Sequence, residues 1–139
     1  MVSGPVQYLN PTAVSAPKGE YSHVAVLPVA GARLCFVTGQ VGYDLAGKAA
    51  PELEPQFEQA FENLRTVLEA VGSSLGSLLQ LTTYLTREEL IPRYFAKRRE
   101  LFPRLFGTNY PTNALVVVRA LARPELLIEI QATAVAAES

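Results

Sequence analysis

The chain has 139 residues and a formal net charge of -1, with 49% hydrophobic and 18% charged residues. This composition excludes a disordered polypeptide, and the length predicts one domain over residues 1–139 with a core of its own. The nearly balanced charge, without a long basic run, argues against a nucleic-acid partner. No apolar run reaches the roughly 18 residues that span a bilayer, and no secretory signal is visible.

Three segments in the first third of the chain have the composition of strands: 6–9, 23–29 and 33–38. The last two are separated by a short Ala-Gly-Ala turn, which predicts a hairpin. The single cysteine, Cys35, lies in the third segment and cannot form an internal disulfide, so we expect a reducing cytoplasm. Gly39 and Gly42 follow at its end and indicate a bend or the close approach of another group.

The first helix is predicted over residues 54–71. Pro55 suits its first turn, and Gly72 follows its last residue. Apolar residues recur on one face at the helical period, namely Phe57, Ala60, Phe61, Leu64, Val67, Leu68 and Val71. A strand is predicted next, over residues 78–85.

The second helix is predicted over residues 92–102. Pro92 would interrupt a helix that started in the preceding Thr-Arg-Glu-Glu sequence, so we expect a turn there first. Pro103 and Gly107 are expected to close the helix. Its apolar face comprises Tyr94, Phe95, Leu101 and Phe102. Arg98 and Arg99 lie on or beside this face.

Two strands are predicted in the last third of the chain. Residues 115–118 are apolar at odd and even positions alike, which is typical of a strand buried on both faces. Residues 126–132 alternate instead, so the Glu129 side chain points to one face of the sheet and the Ile128 and Ile130 side chains point to the other. A desolvated carboxylate without a partner is costly. Glu129 is therefore predicted either to form a buried ion pair with an arginine or to act as an acid or base.

The order of elements, ββαβαββ after a possible leading strand, predicts an α+β fold. We expect a two-layer α/β sandwich with both helices on one face of the sheet. The helices can cover only that face, yet residues 115–118 are apolar on both sides. Self-association is the economical way to bury the second face.

Most familiar catalytic motifs are missing. The sequence has no P-loop, no dinucleotide-binding glycine motif, no serine nucleophile elbow and no metal-ligand spacing, so we expect neither a cofactor nor a metal. The one histidine, His23, lies at a strand start and is interpreted as solvated or structural. The remaining polar candidates are scattered along the chain: Tyr21, Thr38, Gly39, Arg98, Arg99, Asn113 and Glu129.

Several of these residues belong to longer motifs that occur in a familiar order. The motifs are Ala16-Pro17 before Tyr21, residues 37–42 (Val-Thr-Gly-Gln-Val-Gly), the helix from residue 56 to 71, residues 110–113 (Tyr-Pro-Thr-Asn) and residues 128–134 (Ile-Glu-Ile-Gln-Ala-Thr-Ala). Together they span nearly the whole chain and resemble the RidA/YjgF family, also described as L-PSP endoribonuclease-like. The resemblance implies a chorismate-mutase-like fold, a homotrimer with clefts between subunits, and hydrolysis of reactive imines or enamines to keto acids and ammonia.

The resemblance also implies roles for individual residues. Tyr21 matches the tyrosine that lines the family's cleft, and Thr38-Gly39 matches its strand-end backbone site. Glu129 matches the acidic residue thought to orient or activate the attacking water. The motif at 110–113 adds Tyr110 and Asn113 to the expected substrate-binding residues.

Asn113 stands where the deaminating members of the family have an arginine that grips the substrate carboxylate. Asparagine offers a neutral amide in place of a charged fork. We consider two consequences: Arg99 or Arg98 substitutes for the missing arginine, or the ligand lacks a carboxylate. A non-catalytic trimer that binds a small metabolite is the alternative function. Ribonuclease action, named in the family description, is disfavoured because the sequence lacks a basic stripe and a second histidine.

Overall fold

The computed structural model describes residues 4–138 of the chain, so residues 1–3 and 139 of the expected domain lie outside the description. The described residues form six strands and two α-helices in the predicted order. These are β1 (Gln7–Leu9), β2 (Val24–Val29), β3 (Ala32–Val41), α1 (Leu53–Ala70), β4 (Leu78–Leu85), α2 (Ile91–Phe106), β5 (Thr112–Val117) and β6 (Ile128–Ala137). Short 3-10 turns, Leu75–Ser77 and Glu88–Leu90, precede β4 and α2.

The strands form one mixed sheet in the order β1-β2-β3-β6-β4-β5. Neighbours are antiparallel except β4 and β5, which are parallel and connected through α2. Both helices cover one face, as predicted, and the core lies between them and the sheet. Side chains alternate along the strands, so Val24, Val26, Cys35, Leu81 and Ile130 all point to the helices and are buried.

Aromatic side chains join the two helices. Phe57 of α1 stacks on Tyr94 of α2 with ring centroids 5.1 Å apart, and Phe61 meets Phe102 edge-on at 5.4 Å. Every residue predicted for the apolar face of the first helix is buried. Phe95, predicted for the apolar face of the second helix, instead has 37% of its surface exposed.

The second helix is longer than predicted, and Pro103 lies inside it. Proline removes one backbone donor, but helix α2 continues for another turn because Phe106 packs on Phe61 and Phe102, with ring centroids 6.1 and 5.1 Å away. Burial of Phe106 thus outweighs the loss of one hydrogen bond. Gly107 ends the helix with a positive φ of 63°, as its predicted closing role requires.

The closing strands differ from the prediction in two respects. Burial of 115–118 on both faces is wrong for the single chain, because β5 is an edge strand and Val116 and Val117 are 40% and 42% exposed. Strand β6 begins at Ile128, after Leu126, but the predicted alternation holds. The face opposite the helices carries Glu129 and the exposed Phe36. Its cover by another subunit stays a prediction.

Candidate functional site

A β-bulge in β3 sets the geometry around Glu129. Strands β3 and β6 pair at Val37 and Ala132, and pairing resumes at Gln40 and Ile130, so β3 has one extra residue in the interval. The bulge contains Gly39. A Cβ atom added at Gly39 would overlap the Glu129 carboxylate and lie 2.6 Å from its Cδ. Glycine at this position therefore lets the carboxylate rest against the backbone, which is the close approach predicted from the sequence.

Beside the bulge lies a cavity of about 240 Å³, here called the Glu129 cavity. It brings together four residues that the sequence singled out: Tyr21, Thr38, Gly39 and Glu129. Tyr21 comes from the irregular segment before β2, whereas the other three come from the bulge and from β6. The pairing of β3 with β6 thus brings Thr38 and Gly39 to Glu129, and the segment before β2 adds Tyr21.

The electrostatics of Glu129 are those of a carboxyl group without a partner. Burial raises its pKa above the ordinary value of 4.5. Among the described residues, no arginine or other cation forms an ion pair with it. The single chain therefore does not contain the predicted Glu129–arginine pair, and the carboxyl group faces the cavity with its proton affinity increased.

The other predicted site residues line a second cavity, of about 370 Å³. Arg98, Arg99, Tyr110 and Asn113 are all in its wall, and the single chain does not bring them to Glu129. The Asn113 amide donates to the Tyr94 hydroxyl at 3.1 Å. Its oxygen accepts a hydrogen bond from the hydroxyl of Thr83 at 3.0 Å. Both ends of the amide are thus engaged within the chain.

In this second cavity, Arg98 lies against two aromatic rings. The Arg98 guanidinium lies over the Phe95 ring, 4.8 Å from its centroid, and 5.4 Å from the Tyr94 centroid. No ion pair of either arginine occurs among residues 4–138. Both guanidinium groups are therefore available to an anion at this second cavity.

His23 is part of the Glu129 cavity, a position that the sequence did not indicate. It is buried, and its Nε2 lies 2.8 Å from the Ser15 carbonyl, so this nitrogen carries the proton. Its Nδ1 then accepts from the Gln40 amide at 3.2 Å. The structural interpretation of His23 therefore fits, and the solvated one is wrong. The hairpin register, which sets Val24 against Val37, could have indicated its proximity to Thr38.

Sequence reasoning missed Lys18, Tyr43 and Arg123, which also line the Glu129 cavity. Lys18 and Arg123 lie in irregular segments, where no periodicity reveals the direction of a side chain. Tyr43 follows β3, and the main-chain oxygens of Val41 and Tyr43 accept hydrogen bonds from the Asn63 amide of α1, at 2.9 and 2.8 Å. Helix α1 thus holds the wall of the cavity in place.

Residues 12–136 match the family model described as Endoribonuclease L-PSP, which is most of the chain. A RutC family protein of Pyrococcus horikoshii is 32% identical over 124 residues, covering 86% of this chain and 91% of that protein. The chain belongs to the RidA/YjgF family. The predicted family resemblance is confirmed.

Solved structures of the RidA/YjgF family have the same fold. RidA from the Antarctic bacterium Psychrobacter sp. superposes with a TM-score of 0.78 at 28% identity, covering 92% of this chain and 98% of that one. Escherichia coli TdcF with bound serine gives a TM-score of 0.79 at 21% identity, covering 96% and 99%. The predicted two-layer fold is therefore confirmed.

Within residues 4–138, neither helix combines the length and the apolar character needed to cross a bilayer. The same part of the chain has no group of three or more histidine, cysteine or acidic side chains arranged to hold a metal ion.

Replacing Gly39 by alanine is expected to move Glu129 rather than to unfold the protein. The added methyl group meets the end of a flexible side chain, so the carboxyl group can swing away at a cost of about 1–3 kcal/mol. The Glu129 pKa should then fall toward 4.5, because the displaced group is better hydrated. Carboxyl-carbon NMR titration measures that pKa, and urea unfolding measures the stability.

The matched control for this substitution is Gly76→Ala, whose added methyl group would meet only the Ser74 hydroxyl, at 3.8 Å. It should leave the Glu129 pKa unchanged. A Gly39→Ala protein with an unchanged Glu129 pKa would contradict the proposed apposition of backbone and carboxylate.

Proposed function

We propose that this protein is a hydrolase that deaminates imine or enamine metabolites in the Glu129 cavity. The observation that supports it most is the half-buried Glu129 carboxyl group, which has no cationic partner in residues 4–138 and a pKa raised by burial. A base whose pKa is closer to the working pH retains more driving force for taking a proton from water. Membership of the RidA/YjgF family supports the same reaction class.

In the proposed reaction, Glu129 takes a proton from a water molecule as its oxygen attacks the carbon of the C=N bond. The product of this addition is a carbinolamine. Glu129 passes that proton to the nitrogen, which completes the neutral carbinolamine. Glu129 then takes the proton of the carbinolamine hydroxyl and delivers it to the nitrogen as the C–N bond breaks, so that ammonia leaves and the oxygen becomes the carbonyl of a keto acid. One water molecule is consumed, and the carboxyl group ends in its starting state. Tyr21 and the Thr38-Gly39 backbone shape the pocket around the reacting carbon.

We also propose that the working form is a homotrimer. The sheet face opposite the helices is apolar at Phe36 and Val116, which are 46% and 40% exposed, and a second copy of the chain would bury it. In such an assembly, clefts between subunits would join the Glu129 cavity of one chain to the Asn113 side of its neighbour. Size-exclusion chromatography with light scattering gives the mass that tests this.

The alternative function is a trimeric small-metabolite binder without catalysis, and Asn113 favours it. Its amide is used by Tyr94 and Thr83, and a charged hydrogen bond contributes about 1.5–3 kcal/mol against about 1 for a neutral one. Serine bound to TdcF supports a small-molecule ligand under either function. Under this alternative, a ligand would raise the melting temperature of the wild type and of Glu129→Gln alike.

The direct test is incubation with 2-aminoacrylate generated in situ by a dehydratase, with pyruvate release followed against buffer. We expect the wild-type protein to accelerate pyruvate release in proportion to its concentration. No acceleration at any concentration would overturn deamination of this substrate class and leave the binding function.

A further inference from the structure

Two cationic side chains lie in the wall of the Glu129 cavity on segments that are distant in sequence. Lys18 belongs to the segment before β2, and Arg123 to the connection between β5 and β6. Both are exposed at the cavity. Neither forms an ion pair with any carboxylate among residues 4–138. The cavity therefore holds Glu129 and two cations that form no ion pair with the carboxylates of residues 4–138.

The contacts of Lys18 leave its charge available. Its ammonium lies 4.0 Å from the centroid of the Tyr43 ring and donates one long hydrogen bond, of 3.4 Å, to the Gly47 carbonyl. An ammonium has three donors, so at least one remains for a ligand. The stacking on Tyr43 holds the charge beside the cavity rather than out in solvent.

One carboxylate, Glu125, lies within the electrostatic influence of both cations. The Tyr43 hydroxyl donates to one of its oxygens at 2.8 Å, which engages that oxygen of the carboxylate. The fields of Lys18 and Arg123 contribute to a lowered pKa of Glu125, after the hydrogen bonds from its own backbone and from Tyr43. The two charges thus help to lower the pKa of Glu125, although Glu125 forms no ion pair with either cation.

We propose that Lys18 and Arg123 form an anion subsite that binds the carboxylate of the substrate beside Glu129, within one chain. Two unpaired cations at a concave surface attract a small anion more strongly than either alone, and a charge-assisted hydrogen bond fixes its orientation. The substrate class is then a small carboxylate whose C=N carbon lies next to its carboxyl group. The assignment of this substrate rests on the proposed function, whereas the anion subsite itself does not.

This subsite offers a solution to the absence of arginine at position 113. Arg98 and Arg99, the substitutes expected from the sequence, line the second cavity described above. Lys18 and Arg123 share the cavity with Glu129 itself. In this chain, the loops that carry Lys18 and Arg123 would therefore bind the substrate carboxylate, at the cavity that also contains Glu129.

The test is isothermal titration of the purified full chain with pyruvate, an unreactive keto acid. The double variant Lys18→Ala/Arg123→Ala should bind about 10-fold or more weakly than the wild type, because two charge-assisted contacts are lost. The wild-type affinity should also fall with added salt. Lys18→Arg/Arg123→Lys keeps both charges and should bind within a few-fold of the wild type.

Two further double variants serve as controls. Lys48→Ala/Arg87→Ala removes the same two residue types from exposed positions that belong to neither cavity wall, and should leave the pyruvate affinity unchanged. Arg98→Ala/Arg99→Ala tests the second cavity, and it should weaken pyruvate binding less than Lys18→Ala/Arg123→Ala does. Loss of binding in this last variant, with Lys18→Ala/Arg123→Ala unaffected, would overturn the subsite in favour of the second cavity. Absence of saturable pyruvate binding by the wild type would overturn it as well.

The subsite and the proposed function can fail separately. Pyruvate binding that depends on Lys18 and Arg123, without turnover of 2-aminoacrylate, would support the subsite and reject the deaminase. Turnover with an unchanged pyruvate affinity in Lys18→Ala/Arg123→Ala would reject the subsite and retain the deaminase.

Discussion

Replacing Glu129 by glutamine is expected to lower kcat/KM for 2-aminoacrylate about 100-fold or more. A positioned general base typically contributes about 100- to 10,000-fold, and an amide of the same shape cannot take a proton from water. Glutamine should fit against Gly39 as glutamate does, so the cavity and pyruvate binding should persist. Initial rates of pyruvate release measure the effect.

The matched control is Glu69→Gln, which removes one carboxylate from an exposed position on α1. Its rate should equal that of the wild type. A Glu129→Gln enzyme that retained full turnover would remove Glu129 from the mechanism and leave it as a residue that shapes the pocket.

The Glu129→Gln protein is also expected to be more stable than the wild type at neutral pH. The folded-state pKa of Glu129 is raised above its unfolded value near 4.5, so folding favours the protonated form. The protonated Glu129 therefore contributes to the stability of the wild type. That contribution is fully present below pH 4.5 and is lost as the pH rises through the folded-state pKa. Glutamine does not ionise, so the stability advantage of Glu129→Gln over the wild type should appear above the unfolded-state pKa and disappear at acidic pH.

Melting temperatures of the two proteins across a pH series test this expectation. A Glu129→Gln protein that is less stable than the wild type at neutral pH would contradict it. That result would mean that the ionised carboxylate has a favourable partner in the assembled protein.

Replacing Gln56 by leucine is expected to cause a large loss of stability, about 3 kcal/mol or more. The buried Gln56 amide donates to the carbonyls of Ala50 and Glu125, at 2.7 and 2.9 Å. Its oxygen accepts from the Leu127 backbone N–H at 2.9 Å. Leucine would leave three backbone groups without partners, each costing about 1–3 kcal/mol if it stays buried. Total stabilities are only about 5–15 kcal/mol, so a large fraction would be lost.

Urea unfolding measures this change, and Gln59→Ala on the same helix is the control. Gln59 donates a single side-chain hydrogen bond, to Asn63, so its removal should cost about 1 kcal/mol. Equal losses in the two variants would show that water replaces the Gln56 hydrogen bonds. Gln56 holds the segment that carries Arg123, so Gln56→Leu should also weaken pyruvate binding under conditions in which the variant remains folded.

Much of the architecture could be predicted because it depends on local periodicity. The helical period of α1 placed seven apolar residues on one face, and all are buried. The alternation of β6 placed Glu129 opposite Ile128 and Ile130, and the structure keeps it there. The end of α2 was misplaced because the packing of Phe106 is a contact between helices, and Pro103 alone gave no sign of it.

The candidate site could be predicted only in part. The motifs suggested Tyr21, Thr38, Gly39 and Glu129, but grouped them with Arg99, Tyr110 and Asn113, which the single chain places in another cavity. Lys18 and Arg123 were missed because side chains in irregular segments have no period from which a direction follows.

The sequence by itself thus determined the elements, the face on which Glu129 lies and the absence of arginine at position 113. The tertiary structure decided that the carboxyl group rests on Gly39 and which cations share its cavity. The physical reason is that both facts depend on strand register and loop position, set by contacts such as those of Gln56 between residues far apart in the chain.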